Sequence, residues 1–379
     1  MPRKFAKIFR ISLGGAFSKG GGEKLKTLCT ALGATMGTGN IVGVCSAIAI
    51  GGSGAVFWMW VSGIFGMGTA FTENYLSAKF SKNGAVGASA YLKYGVKSEK
   101  LAKLFAASAI FASLGMGSMV QSNTLSEALH TGFDVPGIIS GTACAVLVFC
   151  IICGGASRLK NASTAIVIPL SALYMALSLI VIAVFYKNIP MVMADVFKNA
   201  FNFRAMLGGF ASSALGIGLR RGAFSNEAGL GSSPLFHSAS SHSEKELGAF
   251  AAFEVFVDTV ICCTLTALSV LCADKELDVS SAFSAVFENS GKYIVLISLS
   301  LFALATILGW SLAAEKSAVF LFGEKAVFPI RLLFSLAVFA GAVYRADTVW
   351  VLSDIFNGFM AYPNLFGLLL LYKTIEPLD

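Results

Sequence analysis

Charge is what this sequence has least of. Only 13% of its 379 residues are Asp, Glu, Lys or Arg, against about 25% in soluble domains. That excludes a soluble globular chain, and no polar block is long enough for a separate soluble domain. Alternating apolar and polar residues are missing too; the apolar runs are continuous, which excludes a membrane β-barrel. No secretory signal is legible, because "MPRKFAKIFRISLGGAF" starts basic but no apolar core follows. Histidine is scarce, and no pair among His130, His237 and His242 has metal-ligand spacing on one helix face. No HExxH and no nucleophile–base arrangement appears, so an intramembrane enzyme would lack its machinery. Cysteine is present eight times, but Cys29, Cys45, Cys144, Cys150, Cys153, Cys262 and Cys263 lie inside apolar runs and Cys272 ends one. Cys150 and Cys153 spell a CxxC without a partner pair, which reads as packing rather than metal or redox chemistry.

What fills the chain instead is hydrocarbon. Apolar runs at roughly 24–50, 54–80, 103–129, 135–153, 161–186, 205–239, 248–273, 292–322, 326–344 and 348–372 predict an all-α polytopic membrane protein of about ten transmembrane helices. The whole of 1–379 reads as one transmembrane domain, with a basic segment over 1–23. There Phe5, Ile8, Phe9 and Leu13 recur at helical spacing among Lys and Arg, which fits a helix on the inner membrane surface or a basic tail. The links 81–102, 187–204 and 274–291 have room for surface helices. With a cytoplasmic N-terminus, inner segments carry 20 Lys and Arg and outer segments 6. This bias predicts a multi-pass protein of the cell membrane with both termini cytoplasmic. It also accounts for the net charge of +7 without a nucleic-acid partner.

Two spans differ from the rest. The first contains "GATMGTGNIVG" and the sixth "GLRRGAFSNEAGLGSSP", both helix-breaking runs inside apolar sequence. One opens the first five spans (24–186), the other the second five (205–372), and an odd number of spans inserts the halves in opposite orientation. Interrupted segments at matching places are the pointer to a five-plus-five inverted repeat, as in secondary transporters. A non-helical stretch at membrane depth survives only inside protein or beside a polar cavity. It exposes N–H groups at one half-helix end, suited to a carboxylate, and C=O groups at the other, suited to a cation or ammonium. Gly37, Thr38, Gly39 and Asn40 offer amides, a hydroxyl and a side-chain carbonyl, whereas Gly33 and Gly43 also fit packing contacts. The second break is expected between Gly222 and Gly229, with Glu227 paired to Arg220 or Arg221.

At these residues the sequence resembles the alanine or glycine:cation symporter family, usually called sodium:alanine symporters. "GTGNIVGVCSAIAIGGSGAVFWMW" and "GLRRGAFSNEAGLGSSPLFHSAS" are similar to its two signatures. "GSMVQSNTLSEAL", "VDTVICCTLTAL", "GWSLAAEKSAVFLFG" and "SDIFNGFMAYPN" extend the likeness over about 24–372. The resemblance implies the leucine-transporter-like fold of the amino acid–polyamine–cation superfamily, with broken helices 1 and 6. It implies Na⁺- or H⁺-coupled uptake of alanine, glycine or close relatives, with no cofactor and with membrane lipid as surroundings. Carried over, it sets a substrate carboxylate near Thr38, Gly39 and Asn40, with Gln121 on the opposite wall. Phe224, Ser225 and Asn226 would offer carbonyls to the ammonium, and Trp310 would close over the side-chain end. Thr35, Thr38 and Thr306 would supply oxygens to Na⁺. Gln121 equally fits an interhelical hydrogen bond, and Thr306 a bond to its own helix. Two departures stand out: members usually carry a further helix before the GTGN span, and Ser53 stands where they have Pro. The first keeps a non-transporting amino acid sensor open as an alternative. Asp258, inside the seventh span, reads either as a functional carboxylate or as the partner of a neighbouring helix. Glu73, Glu127 and Glu315 are expected nearer span ends, solvated or ion-paired.

Overall fold

The computed structural model describes residues 8, 10–12, 32, 35–201, 213–237, 243–273 and 276–376. Among them every regular element is helical; Lys82 and Ala85 form an isolated bridge. A 3₁₀ turn, Thr38–Asn40, leads into α1 (Val42–Gly51). Then follow α2 (Gly54–Phe80), α3 (Glu99–Phe133), α4 (Gly137–Cys153) and α5 (Gly155–Val184). A short α6 (Ile189–Ala200) precedes an interrupted pair, α7 (Ala214–Asn226) and α8 (Ser233–His237). The chain closes with α9 (Glu244–Ala273), α10 (Val279–Phe287), α11 (Asn289–Phe322), α12 (Val327–Val343) and α13 (Ala346–Leu371).

Length and composition make this a multi-pass membrane protein. At 1.5 Å per residue α2 is about 40 Å long and α11 about 51 Å, more than the ~30 Å hydrocarbon core. Seven helices among the described residues are long and apolar enough to cross a membrane, while Thr38–Gly51 and Gly137–Cys153 are apolar but shorter. Their outer faces carry side chains that water would drive inward: Phe65 is 74% exposed and Leu369 72%. Cys150 and Cys153 also lie exposed on α4, so the expected packing role fails for them. The links 187–204 and 274–291 do hold the helices α6 and α10. Phe5, Phe9, Leu13, Cys29, Gly33 and His242 lie outside the described residues, as do 205–212.

Close approach of backbones sets the scaffold around α7. A methyl group at Gly218 would sit 2.4 Å from the Ala55 carbonyl, and one at Gly222 2.6 Å from Ser62 Cβ. These two glycines, one turn apart, let α7 lie against α2 where a side chain would hold the helices apart. Widened π-type turns interrupt α3 over Ser113–Val120 and α9 over Phe256–Cys262. Such turns favour functional positions, since they re-aim the side chains around them. Gln121 follows the first, and Asp258 lies within the second.

Candidate functional site

The first break forms where glycine removes the reason to stay helical. Gly37 is extended (φ −135°, ψ −154°), and Thr38–Asn40 make a single tight turn before α1. Asn40 stabilises that turn with its own side chain, its Oδ1 accepting from the Gly37 N–H at 3.0 Å. The Thr38 hydroxyl donates to Gln121 Oε1 at 2.9 Å, and the Thr38 N–H reaches the same oxygen at 3.5 Å. Gln121 thus faces the break from α3 and also makes the interhelical bond. Thr306 arrives from α11: a methyl group at Gly37 would lie 2.5 Å from its Oγ1, a buried hydroxyl without a hydrogen-bond partner. The Thr35 hydroxyl is turned instead to the Leu32 carbonyl at 3.3 Å, within its own turn.

The second break sits later than its glycines led us to expect. Residues 222–226 are helical, and α7 ends at Asn226. The connector 227–232 is bent by left-handed backbone at Glu227 (φ 55°), Gly229 (φ 91°) and Gly231 (φ 78°). Gly218 and Gly222 are therefore packing glycines, while Gly229 and Gly231 are the breakers. The carbonyls of Phe224, Ser225 and Asn226 belong to the last turn of α7, where no further helical amide follows to take them. Asn226 also turns back to accept the Ala228 N–H at 3.0 Å.

The breaks touch each other. A methyl group at Gly39 would be 3.4 Å from both Ser225 Cα and the Phe224 ring. Asp258, fully buried in α9, ties them together: it accepts from Asn40 Nδ2 at 2.6 Å, Ser225 Oγ at 2.7 Å and Thr259 Oγ1 at 2.9 Å. Thr38, Gly39, Asn40, Gln121, Phe224, Ser225 and Thr306 are thus gathered around one centre. Trp310, one turn beyond Thr306 on α11, is packed against Gly117 and donates to Glu227 Oε1 at 2.9 Å. The Phe224 ring packs against that of Trp350, tilted by 37° with centres 5.0 Å apart. Beyond Trp350 opens a cavity of about 590 Å³, lined by Val42, Asn123, Glu127, Asp278 and Lys292 among others.

Several acids are not where the sequence placed them. Glu227 bonds Ser232 and Trp310 rather than an arginine, while Arg221 lies over the Trp350 ring, 4.4 Å from its centre, and Arg220 is exposed. The carboxylate at the left-handed turn is served by these two local donors, and neither arginine of α7 reaches it. Glu73 is neither solvated nor ion-paired; it is 0% exposed and accepts the Gly229 and Gly231 N–H groups at 3.0 and 3.2 Å and Asn364 Nδ2 at 2.5 Å. Asn364 also donates to the Gly229 carbonyl and accepts from Tyr91. Glu315 is ion-paired as expected, 2.7 Å from Arg331, and Glu127 is exposed. His237 is buried against Glu254 at 3.1 Å. The roles of Glu73, Tyr91 and Asn364 were missed; the one legible signal was a Glu inside an apolar span.

The arrangement matches known transporters. The model of the sodium:alanine symporter family matches residues 2–377. The sodium/alanine symporter AgcS of Methanococcus maripaludis is 38% identical, over 94% of this chain and 83% of its own. A probable sodium/glutamine symporter, GlnT of Bacillus subtilis, is 33% identical over 98% of this chain and 81% of its own. Among solved structures, a manganese transporter of Eremococcus coleocola aligns with TM-score 0.56 at 15% identity, covering 92% of this chain and 77% of that one. That likeness is one of fold. A family match from end to end, with relatives that are transporters, makes this chain a transporter, not an enzyme, and a member of the sodium:alanine symporter family.

Proposed function

We propose that the protein imports a small neutral amino acid, alanine or glycine, together with Na⁺. The observation that carries this reading is the contact of the two breaks across Gly39 and Ser225, bridged by Asp258. The substrate carboxylate lies on the amides of Thr38, Gly39 and Asn40, with Gln121 beside it. The ammonium lies on the terminal carbonyls of Phe224, Ser225 and Asn226. Trp310 limits the length of the side chain. Thr35, Thr38 and Thr306 are the proposed oxygens for Na⁺, and the unpartnered Thr306 hydroxyl beside Gly37 supports that placement. Na⁺ and the zwitterion organise the same main-chain dipoles, so each raises the affinity for the other.

The frame we propose is ten spans in two inverted halves, 24–186 and 205–372, with both termini cytoplasmic. Alternating access rocks one bundle about the fixed site. One charge moving through 100 mV contributes about 2.3 kcal/mol, or roughly fifty-fold accumulation at 1.4 kcal/mol per decade. The test is labelled-alanine uptake into proteoliposomes under an imposed Na⁺ gradient. Accumulation that collapses when choline replaces Na⁺ is expected; accumulation indifferent to that replacement removes sodium coupling.

A further inference from the structure

Four carboxylates are buried among the described residues: Glu73, Glu227, Glu254 and Asp258. Two have donors on both oxygens. Asp258 has donors on both oxygens, Asn40 on one and Ser225 and Thr259 on the other. Glu227 has Trp310 on Oε1 and Ser232 on Oε2. Glu254 and Glu73 each keep one buried oxygen without a hydrogen-bond partner, Oε1 and Oε2 respectively. The other oxygen of Glu254 has the imidazole of His237 beside it, a group that can carry the compensating charge. Glu73 differs: three neutral donors crowd its Oε1.

Its position gives that asymmetry a consequence. Two of the three donors are the backbone N–H groups of Gly229 and Gly231, in the connector between α7 and α8. Glu73 from α2 and Asn364 from α13 are therefore the hands that hold the connector, and Tyr91 fixes Asn364. Hydrogen bonds from N–H to a charged carboxylate are roughly twice as strong as those to a neutral oxygen. Whatever neutralises Glu73 therefore loosens the connector. No Lys, Arg or His lies within ion-pair distance of it among the described residues. The titratable groups that bear on it are Tyr91, through Asn364, and Glu227, across the connector. Other charged groups on the elements packed against α2 are turned elsewhere: Arg221 to Trp350, His237 and Glu254 to each other, Asp258 to the breaks.

We propose that Glu73 is a proton-binding site of this transporter, and that its protonation releases the connector between the two halves of the broken helix. The proton comes from water and is held on Oε2; Oε1 becomes a carbonyl oxygen, and its grip on Gly229, Gly231 and Asn364 weakens. The inference rests on the transport reading for its purpose but not for its test. A proton rather than a metal ion is favoured, because one unpartnered oxygen suffices for it, and no group of three or more His, Cys, Asp or Glu side chains suited to a metal is found among the described residues.

The test is an infrared pH titration of the purified full chain, wild type against Glu73→Gln. The other acids protonate in both proteins, so the reading is the difference between them: we expect one protonated-carboxyl component that grows as pH falls in the wild type and is absent from E73Q. Superimposable titrations of the two proteins would overturn the proposal, whether or not alanine is transported. Should E73Q not fold, Glu73→Asp carries the test: its band must titrate at a different pH from the wild type, and an unmoved band overturns the idea. In proteoliposomes, E73Q should keep alanine exchange while its net uptake loses the response to external pH. The predicted loss is about ten-fold, the weight of one charge-assisted hydrogen bond. An unchanged pH profile of net uptake also overturns it.

Discussion

A single carboxylate, Asp258, does at the residue scale what neither break does alone. Ser225 and Asn40 come from helices far apart in the chain, and their donors converge on its two oxygens. A hydrogen bond to a charged group contributes about 1.5–3 kcal/mol. Ser225→Ala removes one such bond at the edge of the proposed substrate position. Its KM for alanine uptake should rise about ten-fold or more, read from the concentration dependence of initial rates at equal protein level. An unchanged KM would mean that Ser225 stands outside the site. Trp310→Phe keeps a ring against Gly117 and Phe236 but strips Glu227 Oε1 of its donor. A buried acceptor left alone costs about 1–3 kcal/mol, so thermal unfolding in detergent should begin several degrees lower. An equal unfolding temperature would show that Glu227 finds another donor.

For the elements, glycine has two uses in this chain and they separate by geometry. Gly218 and Gly222 are helical and let α7 approach α2; Gly229 and Gly231 have positive φ and turn their N–H groups toward Glu73. Alanine at Gly229 meets only Leu365 at 3.5 Å, so its cost is the left-handed backbone alone, about 1–2 kcal/mol. Alanine at Gly231 adds a clash, 2.8 Å from the Phe105 ring and 3.0 Å from Asn364. Gly231→Ala should therefore melt at a lower temperature than Gly229→Ala, which should melt below the wild type. The reverse order would contradict the geometry of the connector. Pro363 shapes the other side: without an N–H it leaves the helical ladder of α13 incomplete beside Asn364.

Across the whole molecule, what was legible followed from chemistry that depends on residue type. Scarce charge and continuous apolar runs gave the all-helical membrane class, and the runs at 37–60 and 218–240, with the stretches that support them, gave the family. The two breaks were legible because glycine and polar side chains inside an apolar span are costly unless the backbone there is buried in protein or faces a polar cavity. The limits of the second break were not, since a glycine used for contact and one used for a turn are the same letter; only φ tells Gly222 from Gly229. Glu73 was misjudged for a similar reason. Distance from a span end says whether water is near, but not that Gly229, Gly231 and Asn364 converge on one oxygen from places about 160 to 290 residues away. The most direct measurement is a cryo-electron-microscopy structure of the full chain with alanine and Na⁺. Our account predicts alanine between the breaks, its carboxylate on the amides of residues 38–40 and its ammonium on the carbonyls of residues 224–226. Alanine bound only in the cavity beyond Trp350, with the two breaks closed on each other, would contradict it.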